Sequence, residues 1–229
     1  MDEMIPAAVA KEAEAALLKN NGQPAEARQI FEEKIFEWVD AYQEGDDADP
    51  EEDTEATTAR DRHAVAIANL WLEYTGMEQR LRQFAQAKKV FESAVTCDVA
   101  QWGAAVWRGY ATFCRGRNKL ANAQKVYRRA LGVVKRPRDR RLLWKGFHTL
   151  LLETGINPDL ALQDLMKEVV GLGGDAAELA SEDLKKPPEE WEVEDAEDPA
   201  PAGPAPMDTS ATGPAPAPAP AGAAPAMNG

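Results

Sequence analysis

The sequence predicts an all-α protein: an antiparallel helix-pair solenoid followed by a disordered acidic and Pro/Ala-rich tail. Three observations carry that prediction. No stretch alternates apolar and polar residues for long enough to make a half-buried strand, whereas apolar residues do recur at helical spacing. Segments also repeat at a fixed period, with Trp71-Leu72-Glu73-Tyr74 returning 36 residues later as Trp107-Arg108-Gly109-Tyr110. At the same offset Ala87-Lys88-Lys89-Val90-Phe91 returns as Ala123-Gln124-Lys125-Val126-Tyr127. A period of this length marks stacked two-helix units, each too small to bury its apolar face alone.

The elements follow in order. Residues 1–43 hold N-terminal helices that include a partial unit, Ala27-Arg28-Gln29-Ile30-Phe31-Glu32-Glu33-Lys34-Ile35. It lies 60 residues before its counterpart at Ala87, about 24 more than one further period, and residues 44–60 read as an acidic loop inserted between two helices that supplies most of the excess. Residues 61–170 form the core of about three units. In the first helix of each unit Trp71, Tyr74 and Met77, and then Trp107, Tyr110 and Phe113, fall on one helical stripe. In the second helix Ala87, Val90, Phe91, Ala94 and Val95 trace an apolar face in which small alanines admit close packing and aromatics fill the space between helices. Arg82-Gln83 and Gly116-Arg117-Asn118 supply the turns within units. A third copy opens 37 residues after Trp107 at Trp144-Lys145-Gly146-Phe147, while its second half, Leu160 to Leu165, is degenerate. Asp139, after Pro137, is the expected N-cap of this unit's first helix, and Asn157-Pro158-Asp159 that of its second. Residues 171–198 form an acidic extension and 199–229 the tail; 11 of the 16 prolines lie between Pro187 and Pro225.

Net charge is −13, from 26 Lys and Arg against 39 Asp and Glu, but the sum conceals segregation. Arg60 to Glu168 carries +10 and everything outside it −23. From Arg115 to Lys145 there are 12 basic residues and one acid, Asp139. Two acidic runs flank this core, Glu44 to Glu55 with eight carboxylates and Glu189 to Asp198 with seven. The basic stretch is either a solvated helix face, neutralised internally, or a docking surface for a polyanion or an acidic protein segment. Trp191, isolated in Pro188-Glu189-Glu190-Trp191-Glu192-Val193-Glu194, is either a short linear binding motif or a segment that folds back over the basic face.

Enzyme chemistry is not expected. Gly171-Leu172-Gly173-Gly174 is not followed by the Lys-Ser/Thr of a phosphate loop and reads as a helix stop. Cys97 and Cys114 are 17 apart, with no CxxC and no His at metal spacing, which fits reduced, partly buried thiols. His63 and His148 read as structural or solvated, and no Ser or Cys has a His-Asp constellation. No catalytic, cofactor-binding or metal residue is expected, and no apolar run of about 20 residues suggests a membrane span.

The Trp-x2-Tyr-x2-aromatic helix followed by Ala-x2-Val-aromatic-x2-Ala resembles the HAT (half-a-TPR) repeat rather than the TPR proper. In HAT units a Glu commonly follows the third aromatic position, as Glu78 follows Met77; the next units have Cys114 and Leu151 there. The Ala-Arg-x-hydrophobic-aromatic-Glu form of the second helix is closest at Ala27 to Glu32; the basic position is Lys88 and then Gln124 in later units. The stretch from about Leu70 to Val169 looks like the C-terminal HAT half of spliceosome recycling factors that re-pair small nuclear RNAs, although the RNA-recognition modules of those factors have no counterpart after Pro187.

The resemblance implies a noncatalytic nuclear scaffold, or alternatively a cytoplasmic one, that binds protein partners of an RNA-processing complex. Pre-mRNA splicing or small nuclear RNP assembly leads. Non-specific contact to RNA backbone is a second expectation, no cofactor is implied, and short uncapped arrays can also form homodimers. The competing reading is a generic TPR-like adaptor for acidic peptide tails. Expected partner or RNA-backbone residues are Arg115, Arg117, Arg128, Arg129, Arg136, Arg138, Arg140 and Arg141. The repeat-signature core is expected at Trp71, Tyr74, Ala87, Phe91, Trp107, Tyr110, Ala123, Tyr127, Trp144 and Phe147.

Overall fold

The computed structural model describes residues 5–44 and 54–155. The expectations for the acidic run within 45–53, the second half of the third unit, the acidic extension and the Pro/Ala-rich tail fall outside the described residues. Within them the fold is all-helical, with seven α-helices and no strand: α1 (Ile5–Lys19), α2 (Ala25–Glu44), α3 (Thr54–Arg80), α4 (Phe84–Ala94), α5 (Ala104–Gly116), α6 (Leu120–Val133) and α7 (Pro137–Glu153). A short 3-10 helix, Ala100–Trp102, precedes α5.

Helices α1 and α2, α3 and α4, and α5 and α6 pack as sequential pairs. The odd-numbered helices also touch in succession, α1 on α3, α3 on α5 and α5 on α7, while α2, α4 and α6 each pack against the odd-numbered helix that follows. Tight turns enforce this antiparallel pairing. At the end of α3, Arg82 takes φ 57° and the Gln83 amide donates to the Glu78 carbonyl at 2.8 Å; at the end of α5, Asn118 takes φ 55° and the Lys119 amide donates to Cys114 at 2.9 Å. Both are left-handed helix stops that satisfy end carbonyls.

Nine of the ten signature residues are buried, from Tyr74 to Phe147; Trp71 is half-buried and packs between the two core clusters together with Trp38 and Val39. Between units a ring pair recurs. Phe31 of α2 stacks on Tyr74 of α3 at 5.2 Å, and the Tyr74 hydroxyl donates to Glu32 at 2.8 Å. Phe91 of α4 stacks on Tyr110 of α5 at 5.1 Å, and the Tyr110 hydroxyl donates to Glu92 at 2.6 Å. Tyr127 of α6 meets Phe147 of α7 at 5.7 Å without that carboxylate, because Arg128 stands in its place. The first module spans 42 residues and the second 18; the 24 additional residues are taken up by a longer α2 after Glu32 and a longer α3 before Tyr74, and the contact is unaltered.

This module makes a pH prediction. Burial, and then the hydrogen bond and charge of the adjacent glutamate, push both the Tyr74 and Tyr110 hydroxyls above the usual tyrosine range. A raised folded-state value means that the stability is fully present below the unfolded value near 10 and is lost as pH climbs past it. Denaturant titrations should therefore show a falling alkaline limb beginning at about pH 10, with a shallower slope in Tyr74→Phe/Tyr110→Phe. An unchanged limb in that variant contradicts the assignment.

Two sequence expectations are corrected. Helix α3 begins at Thr54, so 54–60 is helical rather than part of the inserted loop; no Gly or Pro lies between Thr54 and Thr75 to stop a helix. Asp139 is not the N-cap of α7. Arg136 holds that position in extended conformation with Pro137 first in the helix, and Asp139 instead accepts the Ala104 amide of α5 at 3.2 Å.

Gly109 and Gly146, equivalent in the repeat, admit close approach. A Cβ on Gly146 meets the Tyr127 hydroxyl at 2.5 Å, and one on Gly109 meets a Leu72 methyl at 2.6 Å. Gly146→Ala is expected to cost about 1–2 kcal/mol in urea unfolding, because overpacking against a buried ring exceeds the gain in helix propensity. Gly116→Ala, which meets open space, serves as the control and should be neutral or mildly stabilising.

Candidate functional site

The eight arginines expected to form one docking surface do not come together. Arg115 and Arg117 lie at the C-terminal end of α5, where Arg115 pairs with Glu153 of α7 at 2.8 Å and Arg117 covers the Phe84 ring at 3.7 Å. Arg128 and Arg129 lie near the other end of α6, with Arg136 just beyond it; α6 is 14 residues long, about 20 Å. Arg129 pairs with Glu92 at 3.0 Å and faces the Trp107 ring at 5.5 Å, and Arg136 pairs with Asp61. Burial opposes ionisation of Glu92, but hydrogen bonds from Tyr110 and Arg129, with the charges of Arg129 and Lys88, outweigh it and hold the carboxyl below its usual range. The three ion pairs are surface contacts worth about 0–1 kcal/mol each. They neutralise part of the basic stretch internally, through carboxylates on neighbouring helices.

Arg140, expected on the docking surface, is instead buried. It is 1 % exposed, and its Nη1 donates to the Leu131 carbonyl at 2.7 Å and the Val134 carbonyl at 2.8 Å. The residue ties α7 to the carboxyl end of α6, where a cation complements the helix dipole, and it is inaccessible to a partner. Of the remaining two, Arg138 is exposed and Arg141 half-buried on α7.

A groove of about 680 Å³ opens elsewhere, on the face shared by α3, α5 and α7. Repeat-equivalent positions build it. Asn69, Ala105 and Leu142 line it from the three helices, as do the pairs Ala64 and Ala100, Ala68 and Ala104, and Leu72 and Arg108. The small alanines leave the space, whereas Val65 and Trp102, respectively 54 % and 44 % exposed, give it an apolar surface. Trp107 fixes the adjoining connection by donating its indole N–H to the Gln101 carbonyl at 2.8 Å. Arg108, Lys135 and Arg136 also line the groove; Asp139 is the one carboxylate among its lining residues, and it already accepts the Ala104 amide. Only Arg136 of the eight expected arginines belongs to it. Arg108, Lys135, Val65 and Trp102 were not among the expected site residues. The signal for Arg108 was its place directly after Trp107, where the preceding unit has Leu72.

The structure joins two other residues that the sequence singled out separately. Arg28 of α2 donates from Nε and Nη2 to the two carboxylate oxygens of Glu78 at 2.6 and 2.9 Å, a bidentate pair in which the Glu78 side chain is fully buried. The hydrogen bond to Glu78 raises the Arg28 guanidinium further above its ordinary value, against the desolvation of burial. The equivalent residue to Glu78 in the next unit is Cys114, a buried thiol pushed upward chiefly by desolvation.

Among the described residues no group of three or more His, Cys, Asp and Glu is placed to hold a metal ion, and no helix is long and apolar enough to cross a membrane. Compared with protein-family models, with curated proteins and with solved structures, the chain matches none.

Proposed function

We propose that the chain is a HAT-like helix-pair solenoid acting as a noncatalytic scaffold in RNA processing, with pre-mRNA splicing or small nuclear RNP assembly as the leading setting and the nucleus as its site of action. The observation that carries the docking role is the groove between α3, α5 and α7, built from repeat-equivalent positions and combining apolar surface with Arg108, Lys135 and Arg136. Such a surface suits an acidic protein segment with apolar anchors. The aromatic residues of the repeat are used in packing between helices, which argues against base-specific reading of RNA. Support for the HAT reading over a generic TPR-like adaptor comes from the Trp71/Trp107/Trp144 recurrence and from the Arg28–Glu78 pair.

Affinity purification of the intact chain with mass spectrometry tests this reading. RNA-processing proteins are expected to dominate; a set dominated by chaperones and lacking them overturns the reading in favour of the adaptor. Where RNA backbone contributes, affinity should fall steeply between about 50 and 200 mM salt, and binding that is flat across that range removes RNA from the account.

A further inference from the structure

We propose that the α3–α5–α7 groove is occupied in the resting protein by the chain's own acidic segment around Trp191. The inference rests on the reading of this face as a dock for acidic segments and adds its regulation: a partner must displace a segment of the same chain.

Charge and shape argue for this occupant. Pro188-Glu189-Glu190-Trp191-Glu192-Val193-Glu194 alternates Glu190, Glu192 and Glu194 with Trp191 and Val193. In an extended backbone that alternation puts the two apolar side chains on one face and the three carboxylates on the other. The groove offers the complement, with Val65, Trp102, Leu72 and a row of alanines as the apolar surface, and Arg108, Lys135 and Arg136 as the cations. Its volume of about 680 Å³ lies within the range of sites that hold large side chains or small ligands. Arg108 is half-buried and has no hydrogen bond or ion pair within the described residues, so a carboxylate arriving beside it displaces no existing partner.

Reach permits the contact. The described chain ends at Gly155, just after α7, whose far end carries Asp139 and Leu142 on the groove. Helix α7 is 17 residues long, about 25 Å. Thirty-six residues separate Gly155 from Trp191. Even at the helical rise of about 1.5 Å per residue they cover about 54 Å, twice the distance required.

The experiment uses the intact 229-residue chain. A photo-crosslinking benzoylphenylalanine replaces Trp191, and the crosslinked peptides are mapped after irradiation. Intramolecular crosslinks to 64–72 or 99–108 are expected, and they should be lost in Val65→Asp/Arg108→Glu, whose helicity is checked by circular dichroism. Crosslinks elsewhere, none at all, or crosslinks between two copies each overturn the proposal, the last in favour of a second copy as occupant. In parallel, a labelled synthetic peptide of residues 186–198 is titrated into the wild-type chain and into Trp191→Ala. Binding about tenfold tighter to the variant is expected, which corresponds to an internal segment that holds the groove about nine-tenths of the time. Equal affinity overturns the internal cover and leaves the acidic dock standing, whereas absence of binding to either chain overturns both.

Discussion

Replacing Arg140 with Ala is expected to lower the stability of the chain by about 3–5 kcal/mol, whereas Arg138→Ala, two residues away in the same basic stretch, should change it by less than about 0.5 kcal/mol. The difference follows from surroundings. Arg138 is exposed, but Arg140 is 1 % exposed and donates to two carbonyls at the carboxyl end of α6. Removing it leaves both without this donor in a site closed to water, at about 1–3 kcal/mol each, and opens a cavity where the long side chain lay. Arg140→Lys should recover only part of the loss, because an ammonium cannot present the guanidinium's planar fork. Urea unfolding followed by circular dichroism checks the series, and equal effects of the Arg138 and Arg140 substitutions would refute the clamp.

The Arg28–Glu78 pair should respond asymmetrically. Arg28→Ala is expected to cost about 3–5 kcal/mol, because it strands a carboxylate whose side chain is 0 % exposed. Glu78→Ala should cost about half as much, since the Arg28 side chain is 28 % exposed and can turn toward water. Replacing both as Arg28→Met/Glu78→Leu should return stability to within about 1 kcal/mol of wild type, because a buried ion pair and a packed apolar pair of similar volume are nearly equivalent. Thermal and urea unfolding of the three variants measure this; a double variant as unstable as Arg28→Ala would show that the ion pair stabilises the fold beyond what apolar packing can replace.

The recurring Trp, Tyr, Ala and aromatic positions made the helix pairs legible in the sequence, since period and burial are both encoded in residue type. The Arg28–Glu78 contact was legible only in part: the two positions were singled out separately, and 50 residues separate them. The basic stretch was read less well. Charge density along the chain treated Arg115 to Arg141 as one surface, but the turn after α5 and the length of α6 place its two halves toward opposite ends of α6. Nor does composition distinguish Arg140 from Arg138, because burial of an arginine depends on carbonyls at the end of a neighbouring helix. The groove depends on what is small at Ala68, Ala104 and Ala105, and such an absence of side chain acquires meaning only when three helices are placed side by side.

Docking of the proposed partner is expected in the α3–α5–α7 groove and not along the basic stretch as a whole. The most direct measurement is quantitative capture of the partners bound by the intact chain, compared between Arg108→Glu/Arg136→Glu in the groove and a control reversal, Lys125→Glu, on α6 outside it. Helicity is monitored in each. Loss of at least tenfold in the groove variant with capture retained in the control is the predicted result; equal capture by both, or loss only in the control, would contradict it.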